Sequence, residues 1–494
     1  MRCIATFDIG TTAVKAVLVD MDGQVLLSDS RDIPTIYEGP WREQDPAVWW
    51  DAFCELSQSF LTEARDIAGI VMSGQMQDVI PVDETLMPVR NAILYSDGRG
   101  APQAQRLAET MGAEEVLRIT GNGCDGSLSL PKIMWMKENE PELYARTRCF
   151  LISSKDYVIA RLTGECASDL TSCSTACAMD LRTKQWSEPI LKAAGLEASR
   201  LPRLCASHEC VGQVTKEAAE KAGYAIGTPV YAGVGDAGAT TLASGIMDAG
   251  QYNINLGTSG WVATVSDQAL FTGGGVFNLA AMPVGKVINV VPFLNASNVH
   301  RWLSVLLSDE EGTPDYENIN RLLGESSVGA GGVMALPYLV GERFPVLDAD
   351  ARGAFVGLTP ETAQRDLVRA MLEGVGFSIR QGVEAIGQEP SHISIIGGGG
   401  RVTGWCQILS DILGQTIYVY RNADTLPARA IAAAALIGQN LQPDYTAFVQ
   451  GLQQEGSADV FHPDASAHEQ YDALYARYVQ LYPILKQWYE WKHM

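Results

Sequence analysis

Two glycine–threonine turns carry the strongest chemical signal in this chain. In the first, Asp8, Gly10, Thr11 and Thr12 follow an apolar run at residues 3–7 and precede another at 13–20, with Lys15 three residues beyond. Glycine lets the backbone turn tightly and approach a ligand closely. The threonines offer hydroxyl and N–H donors to phosphate oxygens, and Asp8 could hold Mg2+ or its waters. Taken alone, the same residues also describe an ordinary hairpin turn. The second turn, Gly257, Thr258, Ser259 and Gly260, lies between apolar runs at 252–256 and 261–265. Two such turns facing one cleft would grip a polyphosphate from both sides, so the pair is far more specific than either member.

Two further segments could carry chemistry. Asp236 stands among Gly233, Gly235 and Gly238 at the end of a strand-like run, residues 230–233. A carboxylate there is open to a ligand and able to accept a proton; it could equally cap the next helix, and the two roles are compatible. Four glycines at 397–400 follow a run at 393–396 and precede Arg401 and a helical pattern at 404–413. The backbone at Gly398 and Gly399 would let a flat ring or a sugar lie against it, and the helix N-terminus favours anions, although a glycine run is also common in loops. Cys173, Cys177, Cys205, His208 and Cys210 are the residue types of a zinc site, but they lack the paired C-x2-C knuckles of one; reduced, buried thiols are the other reading.

These residues need elements to position them. The two turns are 247 residues apart, half of the 494-residue chain, which indicates an internal repeat and two related domains, 1–245 and 246–494, joined near 244–250. The first turn reads as a hairpin, and a second hairpin turn comes at Asp22 and Gly23. Apolar spacing predicts helices at 46–64, 156–162, 362–386 and 468–491, with buried strands at 69–72 and 151–153 between them. Strands alternating with helices indicate α/β architecture.

Composition bounds the function. The chain is 47% hydrophobic and 19% charged, as expected of a globular protein. Its 36 basic and 58 acidic residues leave a net charge of −22, which repels nucleic acid and anionic membranes. A polyanionic ligand would therefore need local donors and a divalent cation. Asp8 interrupts the N-terminal apolar run, so no signal peptide is read there, and the apolar stretch at 428–438 is too short to span a membrane. The expectation is a soluble, cytoplasmic protein. No G-x-G-x-x-G comes after the first strand, which argues against a dinucleotide-binding dehydrogenase.

With these motifs in place, the chain resembles the FGGY family of carbohydrate kinases, relatives of actin and hexokinase. Ser127, Ser129, Lys132, Trp135, Glu138 and Asn139 match the family's first signature, and Gly353, Phe355, Gly357, Leu358, Asp366, Ala370 and Glu373 match its second. Within the family it is most similar to the xylulokinases, through Ser73, Gly74, Gln75 and Met76, through Asp97, Gly98 and Arg99, and through Gly341, Glu342 and Arg343. A loop with Asp348, Asp350 and Arg352 resembles the family's ATP-side loop. The chain departs from the xylulokinase pattern at Gln77, where histidine is usual, and at Asp78, Ser96 and Phe344; it lacks the arginine–glutamate pair of glycerol kinases.

The resemblance implies two ribonuclease-H-like (actin/hexokinase-type) domains around a central cleft, the first binding sugar and the second nucleotide. It implies ATP and Mg2+ as cosubstrate and cofactor, and a ketopentose, D-xylulose becoming D-xylulose 5-phosphate, as the substrate. Another ketose, a polyol, a sugar acid, or a catalytically weak sensor on the same scaffold are the alternatives. Asp236 would be the catalytic base and Asp8 the metal-placing carboxylate. Gln75, Met76, Gln77 and Asp236 would line the sugar pocket. Gly10, Thr11, Thr12, Lys15, Gly257 and Thr258 would meet the phosphates, and Gly398 and Gly399 the nucleoside. A homodimer is the expected assembly.

Overall fold

Eight-residue runs of Ile, Val, Phe and Leu at the start of the chain are long enough to form central strands buried on both faces. The computed structural model, which describes residues 2–490 except 63–65, 272–274, 422–423 and 456–457, places them so. The first sheet holds β1 (Arg2–Ile9), β2 (Ala13–Asp20), β3 (Val25–Asp32), β4 (Asp66–Gly74), β5 (Cys210–Gln213), β6 (Pro229–Tyr231) and β7 (Val234–Gly235). Its order is β5-β6-β4-β1-β2-β3, and β7 pairs with the end of β4. The second sheet holds β8 (Gln251–Leu256), β9 (Gly260–Ser266), β10 (Phe277–Ala280), β11 (Val287–Phe293), β12 (His392–Ile396), β13 (Ile417–Tyr420) and β14 (Ala458–Phe461), in the order β10-β11-β9-β8-β12-β13-β14.

The two sheets share one plan. Three antiparallel strands are followed by two that run parallel to the first: β3-β2-β1-β4-β6 in one sheet and β11-β9-β8-β12-β13 in the other. This is the ribonuclease-H-like order, present twice. The hairpin β1–β2 therefore corresponds to β8–β9, and the chain leaving β4 corresponds to the chain leaving β12.

Helices cover the sheets. α1 (Pro46–Leu61) starts where the Asp45 carboxylate accepts the Ala47 N–H and Pro46 occupies the first turn. It buries Trp49, Phe53, Leu56 and Phe60 in the core with Phe7, Val14 and Leu18. Ala64, at the end of the expected helix, lies outside the described residues. Among the other helices, α2 (Ser129–Asn139), α3 (Ser154–Thr163) and α4 (Asp236–Ala243) lie in the first half, and α5 (Gln364–Ile386), α6 (Thr403–Leu413) and α7 (Leu426–Gly438) in the second. α7 does not stay with its own sheet: Ala430, Ile431, Ala434 and Leu436 share a core with Ile4, Val17, Val19 and Val71 of the first sheet. Among the described residues no helix is long and apolar enough to cross a membrane.

Two local expectations are corrected. The strand expected at 151–153 is Cys149–Leu151, because Ser153 is used as the cap of α3, where its N–H donates to Asp156 Oδ2 at 2.9 Å. The single helix expected at 468–491 is two, α8 (Ala465–Tyr478) and α9 (Leu481–Glu490). Pro483 lacks an N–H, and in a continuous helix its ring would clash with the Val479 carbonyl, so the helix stops before it. Trp491 lies outside the described residues.

Between β6 and α4 the chain crosses β4 at very close range. Gly233 has φ +65°, and a Cβ there would overlap the Met72 carbonyl oxygen. Gly233→Ala should therefore lower unfolding free energy by more than about 2 kcal/mol, through strain and overlap together. Gly398→Ala, whose Cβ would meet nothing within 4 Å, is the control in the same urea titration. Equal midpoints for the two variants would show that the crossing tolerates a side chain.

Candidate active site

The crossing delivers a carboxylate. Gly235 passes so near Met76 that a Cβ would overlap its sulfur, and Asp236 emerges as the first residue of α4, with Gly235 in the cap position. The Asp236 carboxylate accepts the Ala237 N–H at 2.7 Å. Burial pushes its pKa up to about 7, the negative charge of Asp8 adds to the rise, and the Ala237 N–H opposes it. Asp8 is the penultimate residue of β1, and burial raises its pKa too. The Ser73 hydroxyl, which donates to Asp8 Oδ1 at 2.9 Å, and the charge of Lys15, its cross-strand neighbour, work against that rise.

The first hairpin tip is held from behind. Gly10 donates its N–H to Ala13 O at 3.1 Å, whereas the Thr11 and Thr12 N–H groups have no acceptor among the described residues. The Thr11 hydroxyl donates to Gln75 Oε1 at 2.9 Å, Gln75 Nε2 donates to Gln44 Oε1 at 2.9 Å, and Gln44 Nε2 donates to Thr11 O at 2.7 Å. This closed ring corrects two expectations. Gln75 is 1% exposed and its amide is engaged at both ends, so it is not a wall of the sugar pocket. Thr11 can offer a phosphate its N–H but not its hydroxyl proton.

The second tip has the same design. Gly257 O and Thr258 O accept from Ser297 N (2.8 Å) and Asn298 N (3.1 Å), and the Thr258 and Ser259 N–H groups have no acceptor among the described residues. A Cβ on Gly10 or on Gly257 would lie 3.0 Å from a carbonyl of its own turn. Four unpaired N–H groups on two tips form a ready site for anionic oxygens. Beside the second tip, Gly397 has φ +102° and lies against the Leu256 backbone. Gly398 faces open space. Gly399 does not: a Cβ there would come within 2.7 Å of Leu256 Cβ and 2.8 Å of Ser297 Oγ, so it is a packing glycine rather than a ligand surface.

Asp236, Ser259 and Gly260 share a cavity of about 200 Å³ with Met76, Gln77, Tyr95, Trp261 and Arg343. Gln77 adopts φ +64°, rare for a residue with a side chain. Lys132 of α2 holds it there: the fully buried Nζ donates to Gln77 O at 2.6 Å and to Leu94 O at 2.9 Å. Burial lowers the Lys132 pKa to about 8, and it pushes that of neighbouring Asp78 well above the carboxylate range. The Gln77 amide makes no hydrogen bond among the described residues.

Several motif residues are engaged elsewhere. Asp97 and Arg99 form a bidentate pair (2.9 and 2.7 Å), and the Arg99 guanidinium stacks on Trp41 and Trp135. Glu373 accepts from Arg369 Nε (2.8 Å), Tyr471 OH (2.7 Å) and Gly329 N (3.0 Å). Cys173, Cys177 and Cys205 are buried and Cys210 exposed, while His208 Nδ1 pairs with Tyr445 OH at 3.2 Å. Among the described residues no three such side chains gather as metal ligands. Sequence reasoning missed Gln44, Tyr95 and the function of Lys132. Only Lys132 left a signal, as a lysine set between apolar residues in a family signature.

Lys132→Met would leave the Gln77 carbonyl without a donor, take one of two donors from Leu94 O, which also accepts the Asp97 N–H, and remove the clamp on a strained residue. Stability should fall by about 1–3 kcal/mol, read by urea unfolding. An unchanged midpoint would show that Gln77 keeps its conformation without the clamp.

Two family models match the chain in succession. The model of the FGGY family of carbohydrate kinases, N-terminal domain, matches residues 3–243, and that of the C-terminal domain matches residues 252–437. The chain is 31% identical over 497 residues to a xylulose kinase of Bacillus subtilis, covering 98% of each. Its fold is similar to that of a xylulose kinase from Lactobacillus acidophilus, with a TM-score of 0.91, 25% identity and 99% of each chain covered. A gluconate kinase from the same organism gives a TM-score of 0.89 at 25% identity, covering 98% of each chain.

Proposed function

The chain belongs to the FGGY family of carbohydrate kinases, and we propose that it transfers the γ-phosphoryl group of ATP to a ketopentose, D-xylulose, giving D-xylulose 5-phosphate. The observation that carries this reading is the convergence on Asp236 of a sugar-sized cavity and two hairpin tips with unpaired N–H groups. The curated relatives at 31% identity, xylulose kinases, support the choice of sugar.

Phosphoryl transfer needs positioning and charge neutralisation more than covalent chemistry. The N–H groups of Thr258 and Ser259 on one tip, and of Thr11 and Thr12 on the other, would hold the phosphate oxygens, with Gly257 and Gly10 letting the backbone come close and Lys15 adding positive charge. Met76 would form an apolar wall and Gln77 would bond hydroxyls. Asp236 would take the proton of the attacking hydroxyl as the oxygen meets the phosphorus in line. Gln75 and Gln44 act at one remove, holding Thr11. Gly398, open to space, would lie under the nucleoside.

Mg2+ fits the donors present. Asp8 keeps one carboxylate oxygen free of Ser73, and the mutual repulsion of Asp8 and Asp236 is of a kind that a divalent cation relieves. When bound, it would supply charge neutralisation for the phosphates.

Residues 1–245 are taken as the sugar-binding domain and 246–494 as the nucleotide-binding domain, with α7 packed across onto the first. A cytoplasmic homodimer with sugar and ATP as its ligands completes the proposal. A sugar acid is the second reading, favoured by the similarity to the gluconate kinase.

Sugar-dependent ADP release should be measured with Mg-ATP over D-xylulose, L-xylulose, D-ribulose, L-ribulose, glycerol, erythritol and gluconate. D-xylulose should give the highest kcat/KM; a preference for gluconate would favour the second reading, and no turnover at all would remove both. Asp236→Asn should lower kcat at least about a hundredfold, the lower end for loss of a general base, with ATP affinity unchanged. The raised pKa sets the direction of the pH profile. Asp236 is the unprotonated base only above its pKa, so kcat/KM for sugar should fall as pH drops through about 7. In Asp8→Asn, which removes a neighbouring negative charge, this limb should move to lower pH. A limb that stays in place would separate it from Asp236. Gly398→Leu should raise KM for ATP by about tenfold, as a 1–3 kcal/mol steric penalty does, and leave KM for sugar alone; equal rises would deny it the nucleoside.

A further inference from the structure

The sugar cavity contains a positive charge with no negative partner among the described residues. Arg343 lines it, yet forms no ion pair with any of them. By contrast, Arg90, Arg99, Arg369 and Arg380 each meet a carboxylate. The one hydrogen bond of the Arg343 side chain among the described residues is long, 3.4 Å from Nη2 to Ser127 Oγ, and that hydroxyl already donates to Asp125 Oδ1 at 2.5 Å. The guanidinium otherwise rests 5.6 Å from the centre of the Phe277 ring. A guanidinium carries five N–H donors in a planar fork, so most of its capacity is unused.

The backbone that presents it is rigid. Glu342, 2% exposed, accepts from Leu294 N (2.7 Å) and Arg343 N (2.8 Å) through Oε1, and from Asn295 Nδ2 (2.9 Å) through Oε2. Asn295 also donates to Gly341 O at 2.7 Å and accepts from Leu339 N at 3.0 Å. A donor held this firmly is suited to reading a ligand rather than adapting to one.

Arg343 lies away from the reacting end of the cavity. Asp236, Ser259 and Gly260 define that end. The Arg343 guanidinium sits by the ring of Phe277, which is paired through Val290 with Ala263, three residues along β9 from Gly260 at the tip and so about 10 Å along the sheet from that end. A sugar whose reacting hydroxyl meets Asp236 therefore turns its other end towards the guanidinium.

We propose that Arg343 is a specificity-determining residue that binds the end of the sugar remote from the reacting hydroxyl, donating charge-assisted hydrogen bonds to the C1 hydroxyl and C2 carbonyl oxygens of a ketose. This rests on the sugar-kinase reading above. It explains how one small cavity distinguishes a ketopentose from a shorter polyol, since glycerol carries the reacting end but does not reach Arg343. A site built around a donor rejects ligands that leave it unpaired.

The test compares D-xylulose with glycerol in the wild type, Arg343→Met and Arg343→Lys, all with Mg-ATP. Arg343→Met should lower kcat/KM for D-xylulose by at least about tenfold, chiefly through KM, as loss of a charged hydrogen-bond donor does. The value for glycerol and KM for ATP should each change by less than about twofold. Arg343→Lys, which keeps the charge but not the fork, should fall between. Equal losses for the two substrates would make Arg343 a structural residue, and no loss for D-xylulose would remove it from the site; either overturns the proposal. A wild-type preference for gluconate that disappears in Arg343→Met overturns it in favour of a carboxylate ligand. A wild type inert to every compound overturns the parent reading and this one with it, so the two failures are distinguishable.

Discussion

The enclosure of two carboxylates, Asp8 and Asp236, at the junction of two sheets is the constraint on which the rest of the structure depends. Each is disfavoured as an anion by burial, and the charge of Asp8 raises Asp236 further, to about 7. To bring Asp236 there, the chain crosses β4 where Gly233 and Gly235 leave no room for a side chain against Met72 and Met76. To keep Asp8 there, Ser73 donates from the neighbouring strand. The strain, the glycines and the buried polar contacts of this region all serve one arrangement, and they set a carboxyl to titrate near neutral pH, where a proton acceptor is most useful.

The repeated sheet explains how one plan yields two unlike surfaces. The tips of β1–β2 and β8–β9 are alike, each with a glycine that approaches a carbonyl of its own turn and with unpaired N–H groups beyond it. The halves differ in the segments that leave the equivalent parallel strands. After β4 come Gln75, Met76 and Gln77, which supply a tether, an apolar wall and a free amide. After β12 come glycines, of which Gly398 alone opens onto free space. Under the proposed function, the first exit forms the sugar side and the second the nucleoside side. α7, encoded in the second half and packed on the first sheet, ties the two together.

The family signatures are largely frame rather than contact. Lys132 clamps the carbonyls behind Gln77, and Ser129 donates to Asp78 O at 2.9 Å. Glu373 joins Arg369 and Tyr471, linking α5 to α8. Asp97 and Arg99 neutralise one another under two tryptophans. Such groups are buried and engaged with one another, although Arg99 Nη1 has no partner among the described residues, and their loss would be felt by a ligand through the backbone they position.

The sequence by itself determined the α/β class, the repeat, both hairpins and the place of Asp236, because these rest on local features: apolar period, turn residues and spacing along the chain. The kind of chemistry came with the resemblance to the FGGY kinases, carried by the signature residues between 127 and 139 and between 353 and 373 together with the two turns. Tertiary structure alone decided which motif residues face the cavity. Gln75 faces away because Gln44, 31 residues earlier, meets its amide, and Gly399 packs because Leu256 and Ser297 lie against it. Arg343 stands in the cavity because Glu342 and Asn295 hold its backbone there. Whether a side chain is engaged or free depends on partners that are distant along the chain, and no spacing between neighbours records where those partners fall.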